Sequence, residues 1–288
     1  MPDTKPGEAD IFGENFDNAV KGINAVKQVM KQDLFLVQTS TSAEEHFYQE
    51  STVELSTDPS PSFIPRDAEF SADQVRWTKV TLRPRKFGIE SRFAWEDSIV
   101  NAIDIPARTT MRIGNRVARD VDTRAWNVAS DSQSAVDIQT LAAAATFDAA
   151  TRGNRIPHED IAEAISKIAD SQLQAYEPDT LVLSPKDFAF VITNDYIMGS
   201  YDSSTPELMK TGRMGTLLGL NIIKHPVVTA DYALVCEAKK LGTWKEVKPL
   251  RTEVIQDAGK WITLRAWEYG NCALTDPKAV CLITNTQA

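Results

Sequence analysis

Residues 50–76 constrain the chain most. Ser51, Thr52, Thr57, Asp58, Pro59, Ser60, Pro61 and Ser62 dominate this stretch, and Pro65 closes the group. Connections inside a domain usually run about 4–6 residues, so this one is too long to be a simple loop. Its flanks, Thr52-Val53-Glu54-Leu55 and Val75-Arg76-Trp77-Thr78, have strand character. The reading is a long protruding hairpin with a Pro/Ser-rich tip. Phe63, Ile64 and Phe70 lie near that tip, where their own chain has little to cover them with. A chain built this way needs a partner.

The remaining pattern mixes helices and strands. Phe16, Val20, Ile23, Val26 and Met30 recur at helical steps, with Lys21, Lys27 and Lys31 on other faces. A helix this short must lie against the body or a neighbouring subunit. Leu34-Phe35-Leu36-Val37 reads as a strand. Val80 and Leu82, then Phe87 and Ile89, alternate around Pro84. A long helix begins near Trp95 and restarts at Pro106, where a first-turn proline loses no hydrogen bond. Ile113, Val117, Val121 and Ala125 form its apolar stripe, with Met111 and Ala118 beside it; Arg112, Arg116, Arg119, Asp120 and Arg124 take the other side.

Residues 131–153, rich in Ser, Ala and Thr, read as an interdomain crossing. Pro157 opens a helix carrying Ile161, Ile165 and Ile168. The strand Thr180–Leu183 runs into Ser184-Pro185-Lys186-Asp187, a cap, a first-turn proline and an early acid that start another helix. Strands follow at 217–223, 232–235, 250–255, 261–267 and 279–284. Mainly antiparallel strands with interspersed helices define an α+β chain. No repeat at a period of 20–50 residues is visible.

Composition narrows the function. The 288 residues carry 31 Lys+Arg against 40 Asp+Glu, a formal charge of −9, which argues against whole-protein attraction to nucleic acid or anionic lipid. No apolar run approaches the roughly 18 residues of a membrane span. Met1-Pro2-Asp3-Thr4-Lys5 lacks the layout of a secretory signal. Cys236, Cys272 and Cys281 are odd in number and not in metal-ligand spacing, so they read as reduced thiols in a cytosolic fold.

A search for chemistry returns little. His158-Glu159-Asp160 point around a helix start instead of converging on a metal; His46 sits beside Glu44 and Glu45; His225 precedes Pro226 with no evident partner. Gly212, Gly215 and Gly219 fit no phosphate-binding pattern, and there is no GxSxG. The arginines of the long helix are interrupted by Asp120 and Asp122, which favours a salt-bridged or subunit-facing surface over a phosphate track. No cofactor, metal or catalytic residue is expected.

Element order carries a resemblance. Phe87-Gly88-Ile89-Glu90 leading to Trp95-Glu96-Asp97, then Gly114-Asn115-Arg116-Val117-Ala118-Arg119-Asp120-Val121-Asp122, resemble the strand, acidic step and spine helix of the HK97-fold major capsid proteins of tailed bacteriophages and related archaeal viruses. Leu217-Leu218-Gly219-Leu220-Asn221-Ile222-Ile223 with His225-Pro226 is similar to that family's late strand. Leu264-Arg265-Ala266-Trp267-Glu268 and Asp276-Pro277-Lys278-Ala279-Val280 are similar to its closing strands. The likeness covers about residues 30–286.

The resemblance implies an α+β, HK97-like capsid fold: N-terminal arm 1–40, E-loop hairpin with flanking strands 41–80, peripheral domain with spine helix 81–130 and 249–288, and axial domain 131–248. It implies a major capsid protein forming hexamers and pentamers of an icosahedral shell around double-stranded DNA, in a virion assembled in the host cytoplasm. The E-loop contacts would be Phe63, Ile64, Pro65, Arg66 and Phe70, and the arm contacts Phe16, Val20, Ile23 and Met30. Ile113, Val117 and Val121 would pack the spine helix. The arm is too short to include a fused scaffold, so either a separate scaffolding protein guides assembly or the chain is already processed, and Met1 favours the former; a portal is expected, a decoration or cement protein is a further candidate partner, and packaged DNA would lie close without specific contact. Some family members crosslink through an E-loop lysine, but no lysine occurs between Lys31 and Lys79, so no such crosslink is expected. An encapsulin-like compartment using the same fold, and a soluble oligomeric enzyme, are the competing readings.

Overall fold

The computed structural model describes residues 28–50, 66, 77–96, 105–130, 138–149, 151–170, 176–194, 197, 216–257 and 259–287. Two sheets share a long helix and one core. The first has strand order β1-β10-β11-β4, built from β1 (Leu36–Thr39), β4 (Arg85–Ala94), β10 (Gly242–Asp257) and β11 (Trp261–Leu274). β10 and β11 form a long antiparallel hairpin. Its turn closes with the Lys260 N–H donating to the Asp257 carbonyl at 3.0 Å, and Gly259 supplies a φ of 72°. β4 adds antiparallel to β11, and β1 adds parallel to β10.

Helix α2 (Ile105–Ala129) packs on β11 and β4. Its stripe is apolar at three- and four-residue steps, so one face seeks burial. Ile113, Val117, Ala118, Val121, Ala125, Trp126 and Ala129 are all buried, whereas Met111 remains 44% exposed. The expected helical onset at Trp95 holds for Trp95 and Glu96; residues 97–104 lie outside the described ones.

The second sheet has the order β5-β12-β9-β6-β8-β7. Its strands are β5 (Gln139–Ala142), β6 (Thr180–Leu183), β7 (Thr216–Leu217), β8 (Leu220–Lys224), β9 (Tyr232–Cys236) and β12 (Val280–Thr284). β6, β9 and β12 read as near-continuous apolar runs, the pattern of strands covered on both faces. Helix α3 (Pro157–Ala169) packs on β12, β5 and β9, burying Ile161, Ala164 and Ile168; helix α4 (Pro185–Ile192) packs beside β6. Ser184 caps α4 through its Oγ, which accepts from the Asp187 N–H at 3.1 Å. The capping element read from the sequence is therefore present.

One expectation is corrected. Leu34 ends helix α1 (Val29–Leu34) and does not start a strand; β1 begins at Leu36. The Leu-Phe-Leu-Val run has strand propensity, but Met30 and Leu34 are i,i+4 partners with no exposed surface, and the Lys239 N–H takes the Leu34 carbonyl at 2.6 Å. β10 starts at Gly242, and β12 joins the second sheet by pairing with β9 and β5. The 3₁₀ turn Pro277–Ala279 redirects the chain from one sheet to the other.

At the hairpin base, β2 (Glu45–Glu50) pairs antiparallel with β3 (Trp77–Leu82), with Glu50 opposite Trp77. Arg66 sits exposed in a turn; Phe63, Ile64, Pro65, Phe70 and the flank Thr52–Leu55 lie outside the described residues, as do Phe16, Val20 and Ile23.

Candidate functional site

For a chain expected to act through contacts with copies of itself, the relevant chemistry is at its open surfaces and at the joint that anchors its leading segment. On α2, Arg112, Arg116, Arg119 and Asp120 are exposed, and Arg116 Nε lies 3.3 Å from Asp120 Oδ1 one turn on. Such an exposed pair contributes only about 0.3–0.5 kcal/mol to the helix. Arg124 does not share this face. Its Nε donates to Asn271 Oδ1 at 3.0 Å, because the side chain leans onto β11. Charged residues on one side of a helix wheel do not all reach water when a long strand passes beside them.

The face of the first sheet turned away from α2 carries alternating aromatic and charged side chains. Lys86 Nζ lies 4.5 Å from the Trp267 ring centre, and Arg92 lies 5.7 Å from that of Trp261. Arg265 donates to Glu90 Oε2 at 3.0 Å, and Trp267 Nε1 donates to Glu253 at 3.2 Å. A shallow cleft of about 320 Å³ is lined by Lys86, Gly88, Ile89, Glu90, Arg265 and Trp267. Gly88 permits the close approach of β11, since a Cβ there would sit 2.8 Å from the Trp267 Cβ. On this face Trp261 and Ile255 are each more than two-fifths exposed. Tryptophan and arginine are residue types enriched at interfaces, and this face carries two of each among its acidic and lysine side chains.

The least anticipated feature is buried. Lys31 Nζ is 2.6 Å from both Glu246 Oε2 on β10 and Glu268 Oε1 on β11. Gln28 Nε2 donates to the other Glu268 oxygen at 2.7 Å, and the Trp244 ring centre is 5.2 Å from the ammonium. Asp122, from the middle of α2, meets the first turn of α1: its Oδ1 accepts the Lys31 N–H at 3.3 Å, and the Val29 and Met30 N–H groups also favour its charge. Its Oδ2 has no hydrogen bond and lies 3.4 Å from His225 Nε2. Burial, above all, raises the Asp122 carboxyl to about 7.

This joint corrects two readings. His225 has a partner, Asp122. Asp122 is not a surface charge among the arginines but is fully buried. Met30, named with the arm contacts, has no exposed surface and packs in its own chain's core, one of the two placements expected of the leading helix. One signal could have found Asp122: it falls one residue from Val121 and three from Ala125, on the edge of the buried stripe.

The other reactive residue types are quiet. Cys236, Cys272 and Cys281 are buried free thiols; burial pushes Cys272 up to about 12 and Cys281 to about 11, and Cys236 further still. His46 Nδ1 lies 3.1 Å from Thr81 Oγ1 at the exposed hairpin base, and His158 Nε2 lies 3.9 Å from Glu159. Among the described residues, no group of three His, Cys, Asp or Glu is placed to hold a metal ion, and no helix is long and apolar enough to cross a membrane.

A family model described as phage capsid protein matches residues 78–283, well over half of the chain. The chain belongs to the phage capsid protein family. Shell-forming structural proteins make up that family, and the α+β architecture described above is the HK97-like capsid fold. The capsid of Cyanophage P-SCSP1u aligns at a TM-score of 0.67 with 12% identity, over 88% of this chain and 86% of that one. Mycobacterium phage Che8 aligns at 0.65 with 16% identity, over 86% of each chain. A virus-like particle from Pyrococcus furiosus aligns at 0.63 with 10% identity, over 94% of this chain and 99% of that one. At these identities the likeness is one of fold. No curated protein matches the chain in sequence.

Proposed function

We propose that this capsid protein is the major shell subunit of a tailed virus, assembling as hexamers and pentamers into an icosahedral shell around double-stranded DNA. The observation that carries the reading is the capsid family match across both sheets and α2. In this reading, Phe63, Ile64, Pro65, Arg66 and Phe70 of the hairpin lie on a neighbouring subunit, as do Phe16, Val20 and Ile23 of the arm, while Arg112, Arg116, Arg119 and Asp120 face between subunits. The axial region near capsomer centres is the second sheet with α3 and α4, and the peripheral region is the first sheet with α2. The formal charge of −9 suits a container, because a strongly basic wall would hold packaged DNA tightly. A separate scaffolding protein and a portal complete assembly in the host cytoplasm, and the shell ends in the virion.

Negative-stain electron microscopy of the purified chain, sized by light scattering, should show hollow polyhedral particles or capsomer rings. A small uniform oligomer that forms neither would overturn the proposal. Particles from the native source should release nuclease-protected duplex DNA; a protein cargo in its place would favour a compartment, for which the fold likeness to the Pyrococcus furiosus particle is the motivating observation.

No lysine occurs between Lys31 and Lys79, so the protruding part of the hairpin carries none. Boiling mature particles in detergent should therefore release one band near 31.9 kDa. A ladder of multimers would show a covalent link that this loop does not supply.

A further inference from the structure

Segment 28–34 is held at both ends of α1. The Lys239 N–H takes the Leu34 carbonyl at its C-terminus, and the Asp122 carboxyl faces its first turn. Between these points the segment contributes Lys31 and Gln28 to a pocket whose other charged and titratable members come from each neighbouring element. These are Asp122 and Arg119 on α2, His225 after β8, Glu246 on β10 and Glu268 on β11. Fully ionised, with His225 neutral, the pocket sets the Lys31 ammonium and the Arg119 guanidinium against three carboxylates, an excess of one negative charge. Two of the carboxylates, Asp122 and Glu268, have no exposed surface.

We propose that the Asp122–His225 pair is a proton-operated clasp: with a proton added, it holds segment 28–34 against α2, β10 and β11, and with that proton lost it loosens the segment. The geometry supplies the reason. Asp122 Oδ2 is a buried oxygen with no hydrogen bond, 3.4 Å from an imidazole nitrogen. His225 Nδ1 accepts the Val227 N–H at 3.3 Å, so in the neutral ring the hydrogen sits on Nε2, the nitrogen 3.4 Å from Asp122 Oδ2, without the alignment of a hydrogen bond. A further proton on either partner lowers the pocket's excess negative charge by one, and the titration belongs to the pair. Opening the segment admits water to the carboxylates, which relieves a buried charge more than a neutral group.

The sign follows from linkage. Burial raises the Asp122 carboxyl to about 7, and Glu268 pushes in the same direction. Burial first, and then Arg119, hold the His225 imidazole below its ordinary value, so it stays neutral near pH 7. A carboxyl raised in the closed state relative to the open one favours closure most at low pH, and that advantage is lost as pH rises through about 7. Between pH 5.5 and pH 8 the opening equilibrium should grow on the order of tenfold or more. The clasp operates on the chain's own segment and does not depend on what the shell encloses.

The test is hydrogen exchange on the assembled full chain, read as protection factors so that the intrinsic pH dependence of exchange divides out. Peptides covering 29–34 should lose protection on the order of tenfold from pH 5.5 to pH 8, while peptides from Pro157–Ala169 hold theirs. Asp122→Asn should keep segment 29–34 protected across the range. A flat wild-type profile, or an Asp122→Asn variant with the wild-type profile, would overturn the proposal. Should that variant not fold, Glu268→Gln decides: removing a neighbouring negative charge must move the midpoint to lower pH, and an unmoved midpoint refutes the clasp.

Discussion

Replacing Lys31 by methionine is expected to destabilise the subunit by about 3–5 kcal/mol, the usual cost of breaking a buried ion pair and leaving its partner uncompensated. Lys31 has 4% exposure and sits 2.6 Å from two carboxylates, so its loss leaves Glu268 buried without a cation. Methionine fills similar volume, which separates the charge effect from a packing defect. The double variant Lys31→Met with Glu268→Gln should recover a large part of the loss, since the orphaned charge is then gone. Denaturant midpoints of the assembled protein measure both. A single-variant cost below about 1 kcal/mol, as for an exposed pair, would mean the pocket is open to water.

Trp126→Ala is expected to cost about 3–5 kcal/mol, the range for deleting a large buried aromatic side chain. Trp126 is 1% exposed near the C-terminal end of α2, and its Nε1 donates to Thr229 Oγ1 at 2.9 Å in the connection between β8 and β9. It thereby ties the helix of the first sheet to a loop of the second. Trp126→Phe keeps most of the packing and should lose only about 1 kcal/mol, the worth of one hydrogen bond. Thermal unfolding should show the alanine variant separating into two transitions as the sheets uncouple. Equal losses for alanine and phenylalanine would place the whole effect in the hydrogen bond and contradict the burial.

The two predictions differ in how visible their residues are in sequence. Trp126 follows the buried helix stripe, one position after Ala125, and its burial could be read from spacing alone. Lys31 could not. It is one of three lysines that fall off the apolar stripe of the leading helix, and nothing within several residues of it announces Glu246 or Glu268. The same holds at the other end of the chain. Ser184 and Asp187 read as a helix start, and they are one; yet Gln287 Nε2 also donates to Asp187 Oδ1 at 3.0 Å, and Thr286 Oγ1 reaches its other oxygen at 3.3 Å. That contact spans 100 positions and has no local signature.

What the sequence determined by itself is local: the stripe of α2, the proline starts of α2, α3 and α4, the apolar strands of the second sheet, and the alternation of Val80 and Leu82 in β3. Each rests on periodicity of 2 or 3.6 residues or on a turn-forming residue, and such signals survive without knowledge of neighbours. Tertiary structure alone decided that Leu34 closes a helix, that β12 crosses to the second sheet, that Arg124 lies against β11, and that Asp122 is buried beside His225. Those outcomes depend on which distant strand or helix arrives alongside. Desolvation and pairing are properties of that encounter, so a charge reads the same in sequence whether it ends in water or in the core.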